Sequence, residues 1–206
     1  MTKRKSGRPT QQASVELTER ILDAAEESFV TRGFQETTIQ SLATDCGITR
    51  RSIVSRYPSK DDLLIAVALR DMNAYAPQLY ALDVREERSW EDLERLVRKL
   101  WQRGSDPREA ALLRAYLGET VRLPKLAEAI LAFYYDITAI VEQKIAAMQR
   151  YGMFRNFKAS TVATCAIALV ISDPRIRTML FDATFEDPVT VERYFADTWT
   201  LIRAMA

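Results

Sequence analysis

From Thr18 onward, apolar residues recur at intervals of three and four, the spacing that lines one side of an α-helix. Ile21, Leu22, Ala25 and Phe29 give a first helix one apolar face, and Gly33 marks its end. Ile39, Leu42 and Ala43 do the same for a second. Thr37 is placed to cap that helix, with Gln40 completing a capping box. Gly47 ends it, because glycine accepts the left-handed backbone of a C′ position. Thr49 can cap a third helix whose inward side is Ile53, Val54 and Tyr57, and Pro58 closes it. Ser59, with Asp62 at N3, opens a fourth helix that starts at Lys60 and turns Leu63, Leu64, Val67 and Ala68 inward.

Helix-start signals continue beyond this point. Ser89 with Asp92 opens a helix carrying Leu93, Leu96, Val97, Leu100 and Trp101. Asp106-Pro107, Asp173-Pro174 and Asp187-Pro188 each set a capping acid before a proline suited to the first helical position. Pro124 opens a long helix running to about Arg150 and ended by Gly152. No alternating β-branched run bounded by turns occurs, so strands are not expected. The fold class is therefore all-α, with about nine helices: an N-terminal three-helix helix-turn-helix head and a larger helical body. The expected boundaries are a disordered basic arm over 1–16, the head over 17–62 and the body over 63–206.

Charge changes the picture at one end only. Residues 1–60 hold ten Lys/Arg against seven Asp/Glu, and the remainder nineteen against twenty-one. The short helix after Thr49 carries Arg50, Arg51 and Arg56, with no acid from Gly47 to Lys60. Helix, tight turn and helix with a basic outer face is the geometry that inserts a helix into the DNA major groove. Histidine is absent, which removes His-based acid/base catalysis, the Ser-His-Asp constellation and most zinc sites. None of the six glycines is spaced as GxGxxG. No enzyme activity, cofactor or metal site is expected. Cys46 and Cys165 form no CxxC motif and read as two buried, reduced thiols, which points to the cytosol. The N-terminus lacks the apolar segment of a signal peptide. The longest apolar run, Val162 to Ile171 apart from Thr164, is too short to cross a bilayer. The expected location is cytoplasmic, with nucleoid association when DNA is bound.

The segment ILDAAEESFVTRGFQETTIQSLATDCGITRRSIVSRYPSKDDLL resembles the N-terminal domain of TetR-family transcriptional regulators. The likeness rests on the IL-AA-F pattern of the first helix, the RGF turn, the TT opening of the second and the A-x-x-C-G-I-T turn. The SK-x-x-LL opening of the fourth helix adds to it. The body's RAYLGETVRLPKLAEAI is similar to the C-terminal domain of the AefR-like and AcrR-like subset. The resemblance implies an all-helical homodimer that represses genes from a palindromic operator and leaves DNA when a small molecule enters the body. Three positions depart from the family pattern: Arg51 stands where glycine is common, Val54 where a phosphate-touching tyrosine is common, and Tyr57 in place of phenylalanine.

Candidate DNA contacts follow. Thr38 and Lys60 match family phosphate-binding positions, and Thr49, Arg50, Arg51, Ser52, Ser55, Arg56 and Tyr57 belong to the recognition helix and its flanks. Arginine forks suit guanine O6 and N7, so G-containing half-sites are expected. The competing reading is a solvated basic surface. In the arm, Gly7-Arg8-Pro9 resembles an AT-hook core for a narrow minor groove, with Arg4 and Lys5 on flanking phosphates. A merely solubilising tail is the alternative.

In the body, the family places its inducer pocket among helices four to seven. Those helices offer Tyr75, Leu79, Trp101, Leu113, Tyr116, Leu117, Phe133, Tyr134 and Ile137, with Arg114, Glu119 and Arg122 as polar anchors. Such a lining suits a hydrophobic small molecule, although the same residues also read as ordinary core, and Arg114 and Glu119 as a pair. Dimerisation is expected on the last two long helices through Val162, Ala166, Leu169 and Val170, and through Val191, Phe195, Trp199 and Ile202. That stripe can equally pack inside one subunit. Beside the ligand-responsive repressor stands a second hypothesis, a DNA-organising or partner-binding protein of the same fold with no inducer.

Overall fold

A computed structural model describes residues 11–83 and 89–206. They form eleven α-helical segments and no strand among the described residues. In chain order these are α1 (Gln11–Thr31), α2 (Gly33–Glu36), α3 (Ile39–Asp45), α4 (Arg50–Val54), α5 (Lys60–Asp83) and α6 (Trp90–Gly104). There follow α7 (Pro107–Leu117), α8 (Pro124–Gln149), α9 (Ala159–Ile167), α10 (Asp173–Met179) and α11 (Pro188–Ala204). A π-helical turn, Ala168–Ser172, joins α9 to α10 in one rod. The chain divides into two compact units after Ala68, inside α5, rather than at the expected residue 62.

The first unit is built on the predicted apolar faces. Ile21, Leu22, Ala25 and Phe29 of α1 are buried, as are Phe34, Leu42, Ala43, Ile53, Leu63, Leu64, Val67 and Ala68. Two expectations are corrected here. Helix α1 starts at Gln11, so residues 11–16 are helical rather than disordered. Its first turns carry little apolar periodicity, and that hid them from pattern reading. The cap of α3 is Thr38, not Thr37: the Thr38 hydroxyl accepts from the Ser41 amide at 3.0 Å, and the Ser41 hydroxyl accepts from the Thr38 amide at 3.2 Å. Thr37 is instead buried, its hydroxyl 2.7 Å from that of Ser28.

The second unit packs α6, α8, the α9–α10 rod and α11 around one apolar core. Trp101 stacks on Tyr194 with ring centroids 5.4 Å apart, and Phe185 and Phe195 close round it. Asp106 and Asp187 cap α7 and α11 as predicted, each accepting two backbone amides. Asp173-Pro174 opens α10 with the proline in its first turn, but Asp173 does not cap it, because the helix runs on from the π turn without a break. Asp173 lies within the rod, its amide donating to the Ala168 carbonyl five residues back. Its carboxylate accepts from Arg177 Nε at 2.9 Å and the Tyr194 hydroxyl at 2.7 Å. Pro174 has no N–H to offer the Val170 carbonyl, and the rod widens to π geometry just before it. Gly104 at the end of α6 abuts that turn: a Cβ there would meet the Val170 carbonyl oxygen at 2.7 Å.

This rod also corrects the membrane estimate. Ala159–Met179 is long and apolar enough to cross a bilayer by length and composition. It buries Val162, Ala163, Ala166, Ile167 and Val170 in the core of the second unit, however. Cys46 is buried, but Cys165 is exposed, contrary to the expectation of two buried thiols.

Candidate DNA-binding face and interior cavity

The α3–α4 turn is closed by backbone bonds that need a left-handed residue. Gly47 has φ +63°, the Ile48 amide donates to Ala43 O at 2.9 Å, and the Gly47 amide donates to Thr44 O at 3.0 Å. Arg20 braces the turn from α1, its Nη2 donating to the Cys46 carbonyl at 2.7 Å. Thr49 then caps α4, its hydroxyl accepting from the Ser52 amide at 3.2 Å. Ile53 is fully buried and fixes the rotation of α4 on the core. Arg50, Arg51 and Ser55 are left exposed, and with Val54 they line a surface depression on the outer side of the helix. The acid nearest in sequence, Asp45, is held by Arg32 at 2.6 Å.

The remaining predicted contacts are placed differently. Arg56 and Tyr57 are half-buried. The Arg56 guanidinium turns back to the Ser52 carbonyl at 3.1 Å and the Ser14 hydroxyl at 3.4 Å. Lys60 Nζ donates to the carbonyls of Phe34 at 2.7 Å and Gln35 at 3.1 Å, and lies 4.2 Å from the Phe34 ring centroid. It therefore caps the C-terminal end of α2. Thr49 and Ser52 share a 2.9 Å hydroxyl contact, and the exposed Thr38 hydroxyl is engaged in its own cap. Arg4, Lys5 and Arg8 lie outside the described residues.

In the second unit a cavity of about 290 Å³ opens between α5, α7, α8 and the rod. Of the sequence candidates, Leu113, Tyr116, Leu117, Phe133, Tyr134 and Ile137 line it. Tyr75 and Trp101 do not. Tyr75 lies under the Arg103 guanidinium at 4.2 Å and donates to the Lys99 carbonyl, while Trp101 belongs to the core. Arg114 donates to the Met179 carbonyl at 2.7 Å, and Glu119 pairs with Arg122 at 2.7 Å, so Arg114 and Glu119 do not pair with each other and none of the three anchors lines the cavity.

The polar lining is a cluster the sequence pattern missed: Asp71 from α5, Arg103 from α6, Glu109 from α7 and Arg175 from α10. Arg103 bridges Asp71 at 2.5 Å and Glu109 at 2.9 Å. Burial pushes the Glu109 carboxyl above its usual range, partly offset by Arg103. For Arg103, the two carboxylates outweigh burial and hold the guanidinium firmly charged. Burial lowers the pKa of Arg175, and repulsion from Arg103 adds to that. The Tyr75 hydroxyl is pushed up to about 12, mainly by burial. Four charges drawn from four helices have no common sequence period, so only the fold could reveal them.

The predicted interface residues are placed inside the chain. Val162, Ala166, Val170, Phe195, Trp199 and Ile202 are buried in the subunit's own core, and Leu169 and Val191 are half-buried. The stripe at helical spacing is a core stripe. Among the residues these helices leave exposed are Thr161, Thr164, Cys165 and Ala168 on the rod, and on α11 Ala196, Thr200 and Leu201 beside the charged Glu192, Arg193, Asp197 and Arg203.

Residues 21–67 match the family model described as bacterial regulatory proteins, tetR family. No curated protein matches the chain. Among solved structures, a protein from Mesorhizobium loti described as a TetR-family transcriptional regulator shares 17% identity. It aligns over 95% of this chain and 98% of its own, with a TM-score of 0.80. A transcriptional regulator from Saccharomonospora viridis, in complex with choline, shares 23% identity over 81% and 95% of the two chains, with a TM-score of 0.64. The regulator FadR from Bacillus subtilis, in complex with stearoyl-CoA, shares 14% over 92% and 99%, with a TM-score of 0.68.

Proposed function

By its N-terminal domain the chain belongs to the TetR family of bacterial regulatory proteins, and from that premise we propose that it is a ligand-responsive repressor. It binds a palindromic operator as a homodimer and is released by a small, mainly hydrophobic inducer. As a member of this family it is a DNA-binding transcriptional regulator and not an enzyme. Its place of action is the cytoplasm, on the nucleoid when bound.

The observation that carries the DNA reading is the outer face of α4. A capped, core-anchored helix presents Arg50, Arg51 and Ser55 to solvent, with no acid from Gly47 to Lys60. Arginine forks on such a helix reach guanine edges in the major groove, while phosphate contacts set register. Arg56 and Lys60, tied to protein groups, serve the geometry of the head before any phosphate. One such head gives limited affinity; two heads spaced by a helical turn of DNA give specific binding. The exposed residues of the rod and α11 supply the pairing face in this reading. Ligand response rests on the cavity, because a DNA-organising protein of the same fold has no use for an apolar chamber lined by four convergent charges.

Selection from random duplexes tests the reading directly. The expected result is a G-containing inverted repeat, bound with a Kd that weakens steeply as salt rises. Recovery of no preferred sequence, together with many dispersed genomic footprints, would favour the DNA-organising alternative.

A further inference from the structure

We infer that the cavity of the second unit takes a compact apolar monocarboxylate, its carboxylate on Arg175 and its body against Phe133, Ile137 and Ile171. This deepens the proposed inducer and rests on that reading.

The charges in the cavity wall are unequally shared. The two acids in the cavity wall, Asp71 and Glu109, both pair with one arginine, Arg103. Arg103 is further held over the Tyr75 ring at 4.2 Å, so its guanidinium is enclosed by two carboxylates and an aromatic face. Arg175 makes no ion pair with either acid, although Glu109 and Asp71 lie near enough to favour its charge in part. Its Nη2 donates to the Arg103 main-chain carbonyl at 3.1 Å. Its Nε is buried and without a hydrogen-bond partner among the described residues. A guanidinium removed from water and left with unused donors favours an anion, and the planar fork suits a carboxylate. Burial and the nearby Arg103 make its charge costly in the protein alone, a cost that an incoming anion relieves.

A cation is the other chemistry that an aromatic, acid-bearing cavity invites. It is disfavoured here because Asp71 and Glu109 are already neutralised by Arg103, and because a cation would lie beside Arg175. The rest of the wall sets the body of the ligand. Leu113, Ile130 and Ile176 join Phe133, Ile137 and Ile171 in an apolar lining, and Ser172 lies one helical turn before Arg175 on the rod. At about 290 Å³ the cavity lies just below the usual range for ligand sites, roughly 300–1,000 Å³, which limits the ligand to a compact body. Asp71, Arg103 and Glu109 also line a second, more polar cleft, so the ionic cluster forms a wall between that cleft and the apolar cavity.

The test uses the full chain and five probes: octanoate and 3-phenylpropanoate, the methyl ester of each, and octyltrimethylammonium. Binding is followed by calorimetry, and binding of the selected operator duplex is followed in parallel. At least one acid is expected to bind about tenfold to a hundredfold more tightly than its ester, the range for a hydrogen bond to a charged group. The ammonium probe is expected not to bind. Arg175→Gln should erase the difference between acid and ester, and Arg175→Lys should keep part of it. Both variants should retain the wild-type circular dichroism spectrum. Equal binding of acid and ester, tighter binding of the ammonium probe, or binding of none of the five overturns the inference. If an acid binds through Arg175 yet leaves the operator complex intact, the inference stands and the inducer role falls. If no operator is found while the acid binds, the DNA reading alone fails.

Discussion

At position 51 an exposed guanidinium stands on the outer side of α4, one residue from another, and neither has an acid in its own helix. Arg51→Ala is expected to cost about 1–3 kcal/mol at the selected operator and to relax choice at one base pair. Fluorescence anisotropy on matched and randomised duplexes measures both effects; equal losses on the two would make Arg51 a phosphate contact. Lys60 illustrates the reverse case. Its charge and sequence position suggested DNA, but its ammonium is bonded to two main-chain carbonyls of the head. Glu109 carries the clearest pH signature. Burial raises its folded-state pKa above the ordinary 4.5. Its contribution to stability is thus present below 4.5 and is lost as pH rises through the higher folded value. Glu109→Gln should flatten that part of the stability profile, read by urea unfolding at a series of pH values. Gly104 is a residue whose role no pattern exposes. A methyl group there would meet the Val170 oxygen at 2.7 Å and Ile171 Cα at 2.9 Å, both backbone. Gly104→Ala should destabilise the protein by about 1–3 kcal/mol in denaturant unfolding, the usual range for overpacking.

Elements were legible where local chemistry settles them. Serine, threonine and aspartate before α4, α6, α7 and α11 accept the amides that each helix start leaves unbonded, as their positions in the sequence foretold. Thr49→Ala should cost about 1 kcal/mol of stability and weaken operator binding through looser placement of α4, seen in thermal unfolding and anisotropy together. Where neighbours decide, the local signal misled. Asp173-Pro174 has the composition of a helix start, yet the rod runs through it, because the core holds Val170 on one side and Tyr194 takes the Asp173 carboxylate on the other. The start of α1 was missed for the opposite reason: Gln11 to Val15 offer no apolar period to read, and the helix continues there beyond the reach of the pattern.

For the whole molecule, Thr161, Thr164, Cys165 and Ala168 on the rod, and Ala196, Thr200 and Leu201 among the charged Arg193, Asp197 and Arg203 on α11, remain exposed after the core has taken the long stripe. Thr164→Arg, at one of these positions, should shift the protein from dimer to monomer in light scattering and weaken operator binding, with the circular dichroism spectrum unchanged. A monomeric wild type in dilute solution would overturn the pairing. The sequence by itself determined the all-α class, the capped helix pair and its unbalanced arginines, because these depend on spacing and charge within a few residues. Only the tertiary structure decided that Val162, Phe195 and Ile202 face inward. It alone also brought Asp71, Arg103, Glu109 and Arg175 together around one cavity. An amphipathic stripe states that a face is buried and is silent on what buries it, and charges on four separate helices become neighbours only when the chain is packed.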